Sequence, residues 1–249
     1  MADILEVKGL KKNFGGINAV NNLDFTVEEG SRTAIIGPNG AGKTTTFNMI
    51  TGDLRPTAGT ITFKGEHIER LKPSTTVKKG IARTFQVVRV FNNLSVYEHV
   101  VMGAVAKESV FSANSYDNEE IERILEFTGF LDDKDKLAGN LTGARQKQLC
   151  LATAMATKPK MLLLDELMAG LTITEIDKSL EMLRKVNEEM GITLVIIEHV
   201  MRVIMGLCKK IIVLDHGQKI AEGEPKEIWE NQKVVEAYLG KEALDNVGS

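Results

Sequence analysis

The segment Gly37-Pro38-Asn39-Gly40-Ala41-Gly42-Lys43-Thr44 constrains this chain more than any other, because it joins the apolar run Thr33-Ala34-Ile35-Ile36 to a helix-forming stretch from Lys43 to Thr51. Glycines at this spacing let successive backbone N–H groups converge on one anion, and the N-terminus of the following helix adds a partial positive charge. In such a cradle Lys43 reaches the β- and γ-phosphates and the Thr44 hydroxyl is placed to ligate Mg²⁺. The expected phosphate-binding residues are Gly37, Pro38, Asn39, Gly40, Ala41, Gly42, Lys43, Thr44 and Thr45. The chain is expected to bind a nucleoside triphosphate.

A strand–loop–helix cradle of this kind belongs to a parallel sheet, and the sequence supplies the other strands. Met161-Leu162-Leu163-Leu164, Thr193-Leu194-Val195-Ile196-Ile197 and Ile211-Ile212-Val213-Leu214 are unbroken apolar runs, the pattern of strands buried on both faces. Helical stretches from Glu175 to Met190 and Val200 to Leu207 alternate with them, which predicts an α/β fold with crossover helices. Ile4 to Val27 reads as strand, turn, strand around Phe14-Gly15-Gly16, and Ile61-Thr62-Phe63 before Lys64-Gly65 as a further strand, together an antiparallel layer. Between Asn92 and Thr157 the pattern turns wholly helical, with Val96 to Val105, Asn118 to Phe127 and Arg145 to Ala156 as candidates and Ser109 to Asn118 as an exposed loop. The expected division is a nucleotide-binding core from 1–91 and 158–249 and a helical insertion over 92–157, within one domain.

Bulk properties exclude several classes. With 249 residues, 43% hydrophobic and 26% charged, the chain has enough material for a substantial core. No run approaches the roughly eighteen apolar residues of a membrane span. The start Met1-Ala2-Asp3-Ile4 lacks the basic-then-apolar pattern of a secretory signal, so a cytoplasmic location is expected. A net charge of −3 and a pI near 5.9 argue against a broad nucleic-acid surface. Cys150 and Cys208 lie among apolar neighbours without metal-ligand spacing and read as buried thiols.

Two carboxylates, Asp165 and Glu166, follow the run Met161 to Leu164, at the carboxyl end of a buried strand where ligands of α/β sheets sit. There Asp165 could hold Mg²⁺, directly or through water, and Glu166 could polarise the water that attacks a γ-phosphate. The run Thr193 to Ile197 ends in Glu198-His199, which brings His199 to the same edge, within reach of a γ-phosphate. Gln86 follows Ile81-Ala82-Arg83-Thr84-Phe85 at the start of the helical insertion; a glutamine there could contact Mg²⁺ or the attacking water, or be an ordinary polar residue at a strand end. His67, His99 and His216 are assigned no chemistry.

Taken together, these motifs are similar in order and spacing to the ATP-binding subunits of ABC transporters, over nearly the whole chain. The resemblance implies that ATP and Mg²⁺ are the ligands, that Phe14 stacks on adenine, and that Gln86 and His199 are the glutamine and histidine that contact the active site. It also implies that Leu141-Thr142-Gly143-Ala144-Arg145 stands where the family carries Leu-Ser-Gly-Gly-Gln. Thr142 keeps a hydroxyl, Ala144 adds a methyl where backbone approaches phosphate, and Arg145 puts a cation in place of an amide. In such proteins Thr142, Gly143 and Ala144 of one subunit close on the ATP held by the other, and Ala169-Gly170-Leu171-Thr172 communicates between the two sites. A second ATPase subunit, identical or homologous, is therefore an implied partner.

Within the family, Phe14-Gly15-Gly16 with Ala19-Val20, Ala82-Arg83-Thr84-Phe85-Gln86, Leu94 to Val100, Glu198-His199-Val200-Met201, Ile220-Ala221-Glu222-Gly223 and Ala237-Tyr238-Leu239-Gly240 resemble subunits that energise uptake of branched-chain and other hydrophobic amino acids. The resemblance implies integral membrane permease subunits as partners, an external binding protein as an indirect one, no nucleic acid, and a place on the inner face of the membrane. Val87 to Leu94 is expected to line the groove that receives the permease. Urea, amides or exported lipids as cargo, a soluble ABC ATPase acting on DNA or the ribosome, and a regulatory subunit with little turnover are the alternatives. The single cassette without long heptad arms disfavours the soluble class.

Overall fold

A computed structural model describes residues 2–86, 90–107 and 116–239. Strands β1 (Asp3–Phe14) and β2 (Ile17–Glu28) form a hairpin around Gly15-Gly16, and β1 pairs on its other side with β4 (Ala58–Phe63), which pairs with the short β5 (Glu66–His67). This all-antiparallel sheet has the order β2-β1-β4-β5. The larger sheet contains β3 (Arg32–Ile36), β6 (Ile81–Arg83), β7 (Met161–Asp165), β8 (Thr193–Ile197), β9 (Lys210–Asp215) and β10 (Gln218–Gly223), in the order β10-β9-β3-β8-β7-β6. Its strands are parallel except β10, which folds back antiparallel on β9. The α/β fold with a mainly parallel sheet and an antiparallel layer is as the sequence predicts.

Period-two alternation along the central strands sorts their side chains into two cores. Ala34, Ile36, Leu162, Leu164, Leu194, Ile196, Ile211 and Val213 pack into one core, which the helices cover. Ile35, Met161, Leu163, Val195, Ile197, Ile212 and Leu214 point the other way, onto the antiparallel sheet and the helix α1 (Lys43–Ile50). Every residue of β7 and β8 is buried, which is why these strands read as continuous apolar runs.

Between β5 and β6 lies α2 (Pro73–Lys79). Between β6 and β7 the described residues hold α3 (Val96–Lys107), α4 (Asn118–Phe127) and α5 (Gly143–Ala156), with two 3₁₀ turns and one isolated bridge between Ser95 and Leu137. Helix α6 (Ile173–Glu188) buries Ile176, Leu180, Leu183 and Val186 along one face. It opens on a capping box in which the Thr172 hydroxyl accepts from Glu175 N and the Glu175 carboxylate accepts from Thr172 N. Helices α7 (Met201–Leu207), α8 (Pro225–Trp229) and α9 (Gln232–Leu239) complete the described chain. No helix among the described residues is long and apolar enough to cross a membrane.

Several local expectations change. Phe14 belongs to β1, leaving only Gly15-Gly16 in the turn. The strand before Gln86 stops at Arg83, and Asn118, read both as the end of a loop and as the start of a helix, is the first residue of α4, because Asp117 caps the helix by accepting from Glu119 N at 3.0 Å. Of the two cysteines Cys208 is buried, but Cys150 is only half-buried, since it lines an open cleft beside α5. Residues 109–115 of the expected loop, 87–89 of the expected groove, and 240–249 lie outside the described residues.

Candidate functional site: a phosphate loop at the carboxyl edge of the sheet

The carboxyl ends of β3, β6, β7 and β8 lie along one edge of the sheet, so the chain that follows each of them carries a candidate residue. After β3 the loop turns so tightly that two glycines are obligatory. A Cβ on Gly37 would sit 2.0 Å from Leu214 O, and one on Gly42 2.5 Å from Ala19 O, with Gly42 itself at φ +97°. Gly42 is the N-cap of α1, so the first helical N–H groups open toward the loop.

Lys43 is buried at the base of this cradle, and its ammonium donates to Gly37 O at 2.7 Å and Pro38 O at 2.9 Å. Burial pulls its pKa below the ordinary lysine value, while the Glu166 and Asp165 carboxylates push it back up. Both bonds tie the ammonium to carbonyls of the loop itself. In front of the loop is a cleft of about 440 Å³ lined by Phe14, Ala19, Asn39 to Thr45, Gln86 and Glu166. Phe14 stands half-exposed at its rim with the Lys12 ammonium 5.0 Å from the ring centroid.

Glu166 is held from both sides. Its Oε2 accepts from Gln86 Nε2 at 2.6 Å, and its Oε1 lies 2.5 Å from His199 Nε2. The backbone at Glu166 is left-handed, φ +49°, and its N–H donates to Ile197 O at 2.9 Å, the last carbonyl of β8. A non-glycine residue in this region costs on the order of 1 kcal/mol, and such strain concentrates at functional sites. Here the kink swings the carboxylate out of the strand into the cleft.

Asp165, one residue earlier, stays in the strand and is buried. Its Oδ2 accepts from an Arg83 guanidinium N–H at 2.6 Å, whereas Oδ1 is buried without a hydrogen-bond partner among the described residues. A buried carboxylate oxygen left unpaired is costly unless something charged meets it. That orphaned atom and the side chain of Thr44, which lines the cleft, offer hard oxygens of the kind that Mg²⁺ takes.

Thr142, Gly143 and Ala144 are not brought to this cleft. Thr142 caps α5, its hydroxyl accepting from Arg145 N at 3.4 Å, and Ala144 faces a separate cleft between α5 and α6. Arg145 does not project from the helix start as a free cation. Its guanidinium lies 3.8 Å from the Phe130 ring centroid and donates to Gly129 O at 2.7 Å and Asp133 Oδ2 at 2.9 Å, which turns the charge inward.

Residues 20–169 match the family described as ABC transporter, and residues 218–243 match a second described as branched-chain amino acid ATP-binding cassette transporter. The chain belongs to the ABC transporter ATP-binding family. This cassette is 38% identical to BraF, the high-affinity branched-chain amino acid transport ATP-binding protein of Pseudomonas aeruginosa, over 96% of its own length and 98% of the relative's. Among solved structures, the ADP conformation of an ATP-binding cassette of an ABC transporter superposes with a TM-score of 0.86 at 31% identity, covering 97% of this chain and 100% of that one. A dimeric bacterial ABC transporter cassette superposes with a TM-score of 0.79 at 25% identity, covering 88% and 98%. The cassette is thus an ATP-binding ATPase.

Sequence reasoning passed over two residues of the site. Arg83 was visible only as a charge inside the expected strand Ile81 to Phe85, with nothing to say that its partner lies 82 residues away. Glu198 was read as the neighbour of His199. Its side chain is buried and accepts from Met168 N at 2.8 Å and His199 N at 3.3 Å, tying the turn after Glu166 to the end of β8.

Proposed function

We propose that this cassette energises a membrane importer for branched-chain or other hydrophobic amino acids. The observation that carries its catalytic part is the bracket of Gln86 and His199 around Glu166 at the mouth of the phosphate cleft. Phe14 stacks on adenine, Gly37 to Thr45 wrap the phosphates, and Lys43 exchanges its two loop carbonyls for β- and γ-phosphate oxygens. Thr44, Asp165 and Gln86 hold Mg²⁺, which when bound neutralises phosphate charge. Glu166 orients the attacking water, and His199 senses the γ-phosphate from the other side. An arriving nucleotide competes for Gln86 and His199 and so releases the Glu166 carboxylate for water.

The signature residues Thr142, Gly143 and Ala144, at the capped start of α5, serve the ATP of a second ATPase subunit. Their separation from the chain's own phosphate loop and the likeness to a dimeric cassette support this arrangement. The core of 1–91 and 158–249 then moves against the helical subdomain of 92–157. A largely apolar cleft of about 340 Å³, bordered by Ala82, Phe85, Val90, Met102, Gly103 and Ala106, suits a cytoplasmic segment of a permease and would place the cassette on the inner face of the membrane. The matched segment 218–243 and the naming of the relatives support the amino-acid cargo.

The test is capture of the Glu166→Gln protein from native cells with Mg²⁺-ATP, with co-purifying proteins identified by mass spectrometry. A membrane permease, with or without a second ATPase, is expected. Ribosomal or DNA-repair proteins without any membrane protein would contradict the assignment.

A further inference from the structure

Arg83 is a buried cation in a position where the cassette gains nothing from burying charge as such. Its side chain is 5% exposed, and that of its partner Asp165 only 2%. A buried ion pair carries a desolvation penalty that an apolar pair of similar volume avoids, so its stability alone does not account for it. What it supplies is geometry. One terminal nitrogen donates to Asn48 Oδ1 of α1 at 2.5 Å, and the other donates to Asp165 Oδ2 at 2.6 Å, so the planar fork spans the phosphate-loop helix and the end of β7. Asp53 Oδ2 stands 3.8 Å from the first nitrogen. The Phe47 and Phe85 ring centroids lie 5.5 and 4.9 Å from the guanidinium carbon and keep its plane in place.

Two consequences follow for the carboxylate. With Oδ2 engaged, rotation of the Asp165 carboxyl group would break the Arg83 bond, and Oδ1 is the oxygen that remains buried and unpartnered. Arg83 is also continuous with Thr84, Phe85 and Gln86. Thr84 N donates to Leu163 O at 2.9 Å and Asp165 N to Thr84 Oγ1 at 3.4 Å, so the segment that ends in Gln86 is keyed to the strand that ends in Asp165.

We propose that Arg83 is a positioning residue for the divalent cation that accompanies ATP, locking Asp165 with Oδ1 left for the ion and holding Gln86 in register with it. The proposal rests on the reading of the cleft as a Mg²⁺-ATP site. Arg83 touches neither nucleotide nor ion; it acts through Asp165 and through the chain that leads to Gln86.

The experiment measures ATP affinity of the full chain by displacement of a fluorescent nucleotide, once in EDTA and once in excess Mn²⁺, with melting temperature followed in parallel. In wild type Mn²⁺ tightens ATP binding. In Arg83→Gln the tightening by Mn²⁺ falls by about tenfold, well beyond any change of affinity in EDTA. Asp165→Asn loses the tightening, and Arg83→Gln added to it causes no further loss. Should Arg83→Gln not fold, Arg83→Lys carries the test, since one ammonium keeps the charge but cannot serve Asn48 and Asp165 in the same fork; its Mn²⁺ tightening also falls. Equal weakening in EDTA and Mn²⁺, or full tightening in either Arg83 variant, would overturn the proposal while leaving the site assignment standing. A wild-type protein that binds ATP no better with Mn²⁺ than with EDTA would overturn both.

Discussion

Glu166 Oε1 sits 2.5 Å from His199 Nε2, so the carboxylate and the imidazole hold each other across the cleft. With Gln86 on the other oxygen, both carboxylate oxygens of Glu166 have partners within the protein. Replacing the carboxylate by an amide of the same size keeps the shape and removes the proposed base. Glu166→Gln is therefore expected to bind ATP while releasing phosphate about 10²- to 10⁴-fold more slowly. Phosphate release read against ATP affinity checks this; turnover at the wild-type rate would assign the water to another residue.

Lys43 donates to two loop carbonyls that a phosphate would replace, and truncation removes a charge-assisted contact from a buried site. Lys43→Ala should weaken ATP binding by about 2 kcal/mol. Calorimetric titration gives the value directly, and undiminished affinity would contradict the phosphate-loop assignment.

Thr172 starts α6 at the end of the turn that follows Glu166. Thr172→Ala breaks the capping box and should destabilise the chain by about 1 kcal/mol. The midpoint of urea unfolding reports it; an unmoved midpoint would mean that the box adds no stability.

Glu198 is buried, and desolvation raises its pKa against the backbone N–H bonds that lower it. The folded state therefore holds this proton more tightly than the unfolded chain does. Its contribution to stability is complete below the ordinary carboxylate range and is lost as pH rises through the raised folded value. Relative to Glu198→Gln, the wild type should lose melting temperature across that window. Parallel pH curves for the two proteins would contradict the shift.

The phosphate loop and the strands β7 and β8 were legible because each answers to a local demand: glycines where a Cβ would strike Leu214 O or Ala19 O, and apolar runs where both faces are covered. Helix α4 was legible from Asn118 to Phe127, where Ile121, Ile124 and Leu125 form the buried face. Strand β10 was not, since it lies at the sheet edge, pairs only with β9 and carries the mixed run Gln218 to Gly223, none of it fully buried. Helix α2 buries only Thr76 and so shows no apolar stripe. The inward turn of Arg145 depends on Phe130 and Asp133, and the Arg83 clamp on Asp165 and Asn48; such partners come together only in three dimensions.

The central claim is that ATP turnover by this cassette drives amino-acid import, and uptake of radiolabelled leucine tests it most directly. Cells lacking the chain would be complemented with the wild type or with Glu166→Gln at matched expression. Uptake restored by the wild type and absent with Glu166→Gln is the predicted result. Uptake that is indifferent to the chain, or equal with both proteins, would contradict it.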